Sequence, residues 1–312
     1  MTKDTSITEP EHAAAAAKAP ASRPRHGVRR QVHLDGVSRA YDPRVQAIRP
    51  DLADVALADM FFAPHYAAAL ARGCVAPWAT VRAAPDAAAG ATSELLHGET
   101  FHMLDVRGQW AWGYCARDHY VGYVLHEALG EPISPDHATL CAAPVFAQAD
   151  IKAPIVKLLP ANALVQGARE DAFLATADGF VHARHVRPID APERDWVAVA
   201  ARAIGMPYVW GGRGGLGIDC SGLVQAALGA CGIPAPRDSD QQAQALGEAL
   251  REDAPLQRGD LLFFPGHVGL MVDAGQIIHA NAHWMTTLIE PLADVVARLE
   301  GTCEKPITAR RR

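Results

Sequence analysis

The sequence predicts an α+β domain carried behind two small all-β barrels, and three observations predict it. Between residues 76 and 190, short apolar runs are separated by Gly, Asp and Pro, the spacing of small antiparallel barrels. From residue 194 the pattern changes to helix-length segments with Gly and Pro stop signals. Three strand-like runs then follow, two of them carrying a histidine.

Composition narrows the classes. The chain has 312 residues, 49% of them hydrophobic and 21% charged, which excludes a wholly disordered or collagenous protein. A net charge of −6 gives no basic field for nucleic acid. The 6 cysteines form no CxxC pair, so reduced thiols are expected rather than a zinc ribbon or a disulfide scaffold. No apolar run reaches the length of a membrane span. The first 22 residues lack the basic-then-apolar build of a secretory signal. The expectation is a soluble, cytoplasmic protein with no membrane or nucleic-acid partner. The oligomeric state is left open.

Taken in order, residues 1–30 are polar, Ala/Pro-rich and aperiodic, and read as a disordered tail ending in Arg23, Arg25, Arg29 and Arg30. Residues 31–75 are assigned as a helical segment, because Leu52, Val55, Leu57 and Met60 follow helical spacing until Pro64. The first barrel spans 76–130, with strand-like runs such as Trp110-Ala111-Trp112-Gly113-Tyr114 and Tyr120-Val121-Gly122-Tyr123-Val124. The second spans 136–190 with a weaker pattern. The α+β domain spans 194–312. Helices are predicted over 196–204, 219–230, 240–250 and 292–299, and strands over 261–264, 267–272 and 276–280. The terminal Ala-Arg-Arg-Arg is expected to fray.

Candidate chemistry lies in the last third. In Asp219-Cys220-Ser221-Gly222-Leu223, Asp219 suits an N-cap, which puts Cys220 at the first helical position. Free backbone N–H groups and the helix dipole there favour a thiolate, and the same groups can hold an oxyanion. Alone, Cys220 reads as a small buried thiol; its partners change the odds. His267 follows the Pro265-Gly266 break. Asp273-Ala274-Gly275 reads as a three-residue hairpin loop with Gly at the left-handed position. That register sets Gly269 opposite His279 and makes His267 and His279 diagonal neighbours on one face. The helix of Cys220 is expected to cover that sheet, with Gly269 leaving room beneath it. The set reads as nucleophile, base and orienter: Cys220, His267, His279.

Five ordered motifs carry a resemblance. They are Tyr208-Val209-Trp210-Gly211-Gly212, Ile218-Asp219-Cys220-Ser221-Gly222-Leu223, Arg258-Gly259-Asp260-Leu261-Leu262-Phe263-Phe264, Gly266-His267-Val268-Gly269-Leu270 and Ile278-His279-Ala280. Residues 194–300 resemble the NlpC family of bacterial cell-wall cysteine peptidases, and the barrels resemble bacterial SH3-like domains. The resemblance implies a compact papain-like fold, no cofactor and no metal. It implies hydrolysis of the γ-D-glutamyl–diamino acid bond of peptidoglycan stem peptides. It assigns Cys220, His267 and His279 as above and places Tyr208 near the oxyanion. Trp210 belongs to the same motif. Asp219 and Ser221 are expected to flank the substrate, and Asp238 to line the pocket.

Members with two barrels and the Tyr-X-Trp-Gly-Gly motif often act on small peptides with a free N-terminal L-Ala, which implies a recycling role. A free ammonium needs a carboxylate. Asp219 is one candidate, Glu94 with Tyr120 another, and Glu99 competes with Glu94. The other readings are a wall-remodelling endopeptidase on intact peptidoglycan, an acyltransferase or lipid hydrolase with the same Cys–His chemistry, and a wall-fragment binding protein. A metal site at His279 and His283 is disfavoured, since helical spacing does not apply on a strand.

Overall fold

The segment expected to be helical is extended. A computed structural model describes residues 41–312, which form one unit; the tail at 1–30 and residues 31–40 lie outside the described residues. Within 41–75 the chain makes strands Ala53–Asp54, Tyr66–Ala67 and Leu70–Cys74 and one 3-10 turn, Val55–Leu57. The helical spacing had no buried face to serve: Val55 and Met60 are exposed, while Ala53 and Asp54 are buried. Asp54 turns the chain by accepting from the Ala56 N–H at 2.9 Å.

Leu70–Cys74 instead joins the first all-β unit. Its seven strands run in the order Ala91–Leu96, Trp78–Arg82, Val121–Leu125, Trp110–Cys115, Thr100–Arg107, Leu70–Cys74, Leu129–Gly130. Alternate residues Val81, Leu95, Phe101, Ala111 and Val124 fill its core. Residues 137–188 form two smaller antiparallel sheets, of five and three strands, around Val145, Leu159, Val165, Leu174 and Val181.

The rest of the chain builds one antiparallel sheet in the order Thr286–Pro291, Gln276–Asn281, His267–Met271, Leu261–Phe264, Ala309–Arg311. The last strand corrects the expected frayed end. Arg312 donates to both carboxylate oxygens of the fully buried Asp260, at 2.8 and 2.9 Å, and so anchors the terminus. Helices α1 (Trp196–Ala201), α2 (Cys220–Ala230), α3 (Ser239–Ala245) and α4 (Leu292–Glu300) accompany it. α1 and α3 are shorter than the runs expected over 196–204 and 240–250.

The two faces of the sheet have different covers. Leu261, Phe263, Val268, Leu270, Ile278 and Ala280 pack with α1 and α2. Leu262, Phe264, Met271 and Ile277 pack with Val295 of α4. Strand alternation puts His267, Gly269 and His279 on this second face. The expectation that Gly269 makes room for the Cys220 helix is therefore corrected. A Cβ at Gly269 would come within 2.6 Å of Ile277 Cδ1 and 3.2 Å of His279 Cβ, so the glycine makes room for its cross-strand neighbours.

Two turns set the register. Pro265-Gly266 joins Phe264 to His267, with Gly266 at φ 66° where a turn needs a positive value. The loop after Met271 lacks the expected left-handed Gly275. The Asp273 carboxylate closes it by accepting from the N–H groups of Gly275 and Gln276, each at 2.8 Å.

Candidate active site

The sheet is open where the candidate residues gather. Pairing between His267–Met271 and Gln276–Asn281 registers only Leu270↔Ile278 and Met271↔Ile277. Continued in the same register, Gly269 stands opposite His279, but no ladder forms there. Val272 N–H donates to Gln276 O, so the even-numbered residues of this strand aim their backbone groups at the neighbouring strand. Val268 N–H therefore points into the opening, where it meets the sulfur of Cys220. The thiol comes from the α2 side and the imidazoles from the α4 side.

Asp219 starts α2. It accepts from the Gly222 N–H at 2.7 Å and, on its other oxygen, from the Gly211 N–H at 2.9 Å. Arg237, 1% exposed, grips both carboxylate oxygens at 3.0 and 2.6 Å and also donates to Ser221 Oγ at 3.0 Å. Asp219 is thus fully occupied in holding the turn before Cys220. That corrects its candidacy as the carboxylate for a substrate ammonium. Ser221 is likewise buried and engaged.

Burial and the Asp219 charge push Cys220 up to about 11, against the Val268 and Ser221 N–H groups and Arg237. Desolvation works against the thiolate that the helix dipole favours. His267 is driven the other way, down to about 3, by burial and by His279. Burial thus favours the neutral form of each group. Burial pushes the Tyr208 hydroxyl up, and negative charge on Cys220 or Asp219 would push it further. Trp210 is 69% exposed.

His267 Nε2 and His279 Nδ1 are 2.9 Å apart. His279 is fully buried, and its Nε2 lies 2.8 Å from Glu290 Oε1. Arg298 of α4 binds Glu290 through both terminal nitrogens. The sequence reading passed over Glu290 and Arg298. Glu290 pairs with Ile277 and so faces inward beside His279, where an apolar residue is the default; only the strand pairing reveals this.

The first all-β unit contributes the remaining candidates. Glu94 is buried, and its Oε2 accepts from the N–H groups of Arg213 and Gly215 at 2.7 and 3.1 Å; burial raises its pKa. Tyr120 donates to Asp238 Oδ2 at 3.0 Å, and Arg44 donates to the same oxygen at 2.9 Å. Glu99 is engaged elsewhere, held down at about 2 against its own burial by Arg213 and Arg117. Arg213 donates to Glu99 Oε2 at 2.7 Å, to Glu94 O at 2.8 Å and to Gln225 Oε1 of α2 at 2.7 Å. Through it the Gly-rich loop is tied to both the first unit and the Cys220 helix.

Residues 205–294 match the NlpC/P60 family, and residues 81–129 match the bacterial dipeptidyl-peptidase SH3 domain. Over 129 residues the chain is 35% identical to the gamma-D-glutamyl-L-lysine dipeptidyl-peptidase of Bacillus subtilis (strain 168), a match covering 36% of this chain and 43% of that protein. It is 28% identical over 238 residues to dipeptidyl-peptidase 6 of Lysinibacillus sphaericus, covering 66% of this chain and 86% of that protein. The chain thus spans less than half of the first relative and most of the second. The crystal structure of an NlpC/P60 family protein from Bacillus cereus superposes with a TM-score of 0.67 over 78% of this chain and 99% of that one; at 20% identity this is a likeness of fold. Residues 205–294 thus carry an NlpC/P60 match behind an SH3-domain match at 81–129.

Proposed function

We propose that this chain is a cysteine peptidase cleaving the γ-D-glutamyl–L-diamino acid bond of peptidoglycan stem peptides, with Cys220 as nucleophile, His267 as base and His279 as its orienter. The observation that carries the reading is the sulfur of Cys220 set against the Val268 N–H, one residue from an imidazole that is itself tied to a second imidazole at 2.9 Å.

The thiol proton passes to His267 as Sγ attacks the γ-carbonyl carbon of D-Glu. The Tyr208 hydroxyl and the backbone N–H groups at the start of α2 donate to the oxyanion. Collapse breaks the C–N bond, and His267 returns the proton to the leaving amine. Water then hydrolyses the thioester, with His267 again taking a proton, and frees Cys220. A papain-like arrangement, with two SH3-like barrels at 76–130 and 136–190 ahead of the domain at 194–312, belongs to the same reading.

The substrate has a free N-terminal L-Ala in this reading. Glu94 and Asp238 are the carboxylates for its ammonium. The two bonds described on Glu94 both fall on Oε2, and those on Asp238 both fall on Oδ2. Each keeps its other oxygen for a ligand. Such a substrate is a released wall peptide, and a role in recycling, with a cytoplasmic location, follows from it. Incubation with L-Ala-γ-D-Glu-L-diamino acid peptides and mass detection of both products tests the activity. Equal cleavage of free and N-acetylated peptides overturns the ammonium assignment.

A further inference from the structure

The hydrogen bonds around His279 form a directed chain. Glu290 meets four donor atoms or candidate donors: His279 Nε2 on Oε1 at 2.8 Å, Arg298 Nη2 on Oε1, Arg298 Nη1 on Oε2 at 2.8 Å, and Trp284 Nε1 on Oε2 at 3.3 Å. Arg and Trp side chains can only donate. Burial opposes ionisation of Glu290, but the bonds from Arg298 and His279 outweigh it and hold the carboxyl below its usual range. Glu290 is therefore an acceptor, and His279 Nε2 must carry the proton. Asn281 Nδ2 also lies 3.2 Å from that nitrogen, but its amide oxygen is committed to the His283 N–H at 2.6 Å. Two donors cannot bond each other, so the shorter carboxylate contact decides.

The consequence runs along the chain. A neutral His279 with its proton on Nε2 has a bare Nδ1. That atom can only accept, so His267 Nε2 must donate across the 2.9 Å contact. A neutral His267 with its proton on Nε2 has a bare Nδ1, the one ring nitrogen left to receive a proton. We propose that Glu290, clamped by Arg298, is a positioning residue that sets the tautomers of both histidines and so leaves His267 Nδ1 as the ring nitrogen free to take the thiol proton. The proposal rests on the peptidase reading for its kinetic consequence and on the hydrogen bonds around Glu290 for the tautomers. The charged and polar groups around the pair are Glu290 on its strand, Arg298 and Asp294 on α4, Asn281 at the end of the His279 strand, and Trp284 on the segment that follows it.

Glu290→Gln separates this from a packing role. A glutamine has one acceptor oxygen for the same donors. With that oxygen at the Oε2 site it serves Arg298 Nη1 and Trp284, and its NH₂ meets one Arg298 donor. The opposite orientation sets the NH₂ against two donors. The first is favoured, so the NH₂ faces His279 Nε2 and forces it to accept. Both rings then invert, and His267 Nδ1 carries a proton and cannot take one. Inversion of this kind in a serine-protease triad lowers kcat by about 10⁴, and a loss of about 10²–10⁴ with little change in KM is expected here.

The experiment is ¹⁵N NMR of histidine-labelled full-length protein at neutral pH, assigned with His267→Gln and His279→Gln. The parent is expected to show both rings protonated on Nε2, and Glu290→Gln to show both protonated on Nδ1 with the loss in kcat. A parent His279 protonated on Nδ1 overturns the proposal, even if Glu290→Gln fails to fold. So does a folded Glu290→Gln that keeps the parent tautomers and rate. If the parent cleaves no stem peptide yet shows both rings protonated on Nε2, the peptidase reading fails and the tautomer assignment stands.

Discussion

Arg237 holds both carboxylate oxygens of Asp219, at 3.0 and 2.6 Å, in a site from which solvent is excluded. The pair joins α2's first turn to the segment just before α3, and Arg237 also reaches Ser93 Oγ of the first all-β unit at 3.1 Å. Removing one member leaves the other charge buried and alone. Arg237→Ala should lower unfolding free energy by about 3–5 kcal/mol, read from the urea midpoint. Arg237→Lys should recover little of it, because an ammonium cannot make the two-pronged contact.

Gly269 lies where a side chain would press on both Ile277 and His279 of the neighbouring strand. A methyl group there must displace Ile277 Cδ1, 2.6 Å away, and press on His279 Cβ at 3.2 Å. Gly269→Ala should cost about 1–3 kcal/mol and lower kcat more than KM, since it moves the orienting ring. Steady-state kinetics with thermal melts check both parts. Unchanged kinetics would mean the strand opening absorbs the methyl.

The histidines make the fold sensitive to acid. Burial, then the His279 charge, holds His267 at about 3, and burial also lowers His279. An unfolded histidine takes its proton near pH 6.5. Between pH 6.5 and 3 the unfolded chain binds protons that the folded chain refuses. Stability is therefore full above pH 6.5 and falls as pH drops toward 3. Urea unfolding at pH 7, 5.5 and 4.5 should show this decline, and His267→Gln should flatten part of it. The acid limb of kcat/KM should lie below pH 6.5.

Glu94→Gln keeps an oxygen for the Arg213 and Gly215 N–H groups and loses the charge. If its second oxygen binds a substrate ammonium, KM for peptides with free L-Ala should rise about 10- to 100-fold, the value of about 1.5–3 kcal/mol for a charged hydrogen bond. Tyr120→Phe, which frees Asp238 Oδ2 of one donor, should have a smaller effect in the same direction. A Glu94→Gln variant with unchanged KM contradicts the assignment.

Local signals were readable where a turn or cap dictates them. Asp219 at an N-cap, Pro265-Gly266 at a tight turn and the register that opposes Gly269 to His279 all follow from near neighbours. The side of the sheet was not readable, because strand alternation says which residues share a face and not which helix covers it. Residues 50–70 misled because helical spacing without a packing partner stabilises little. The Ala309–Arg311 strand depends on Arg312 finding Asp260, a pairing 52 residues apart. Glu290 and Arg298 were invisible for the same reason: each looks like a surface charge until the fold places them around His279.

The central claim concerns one sulfur. Intact-mass analysis of the protein mixed rapidly with L-Ala-γ-D-Glu-L-Lys, followed by peptide mapping, reads the covalent intermediate directly. The account predicts an L-Ala-γ-D-Glu thioester on Cys220, with free lysine released and neither adduct nor products from Cys220→Ala. Cleavage by Cys220→Ala at the parent rate, or an adduct confined to another residue, would contradict it.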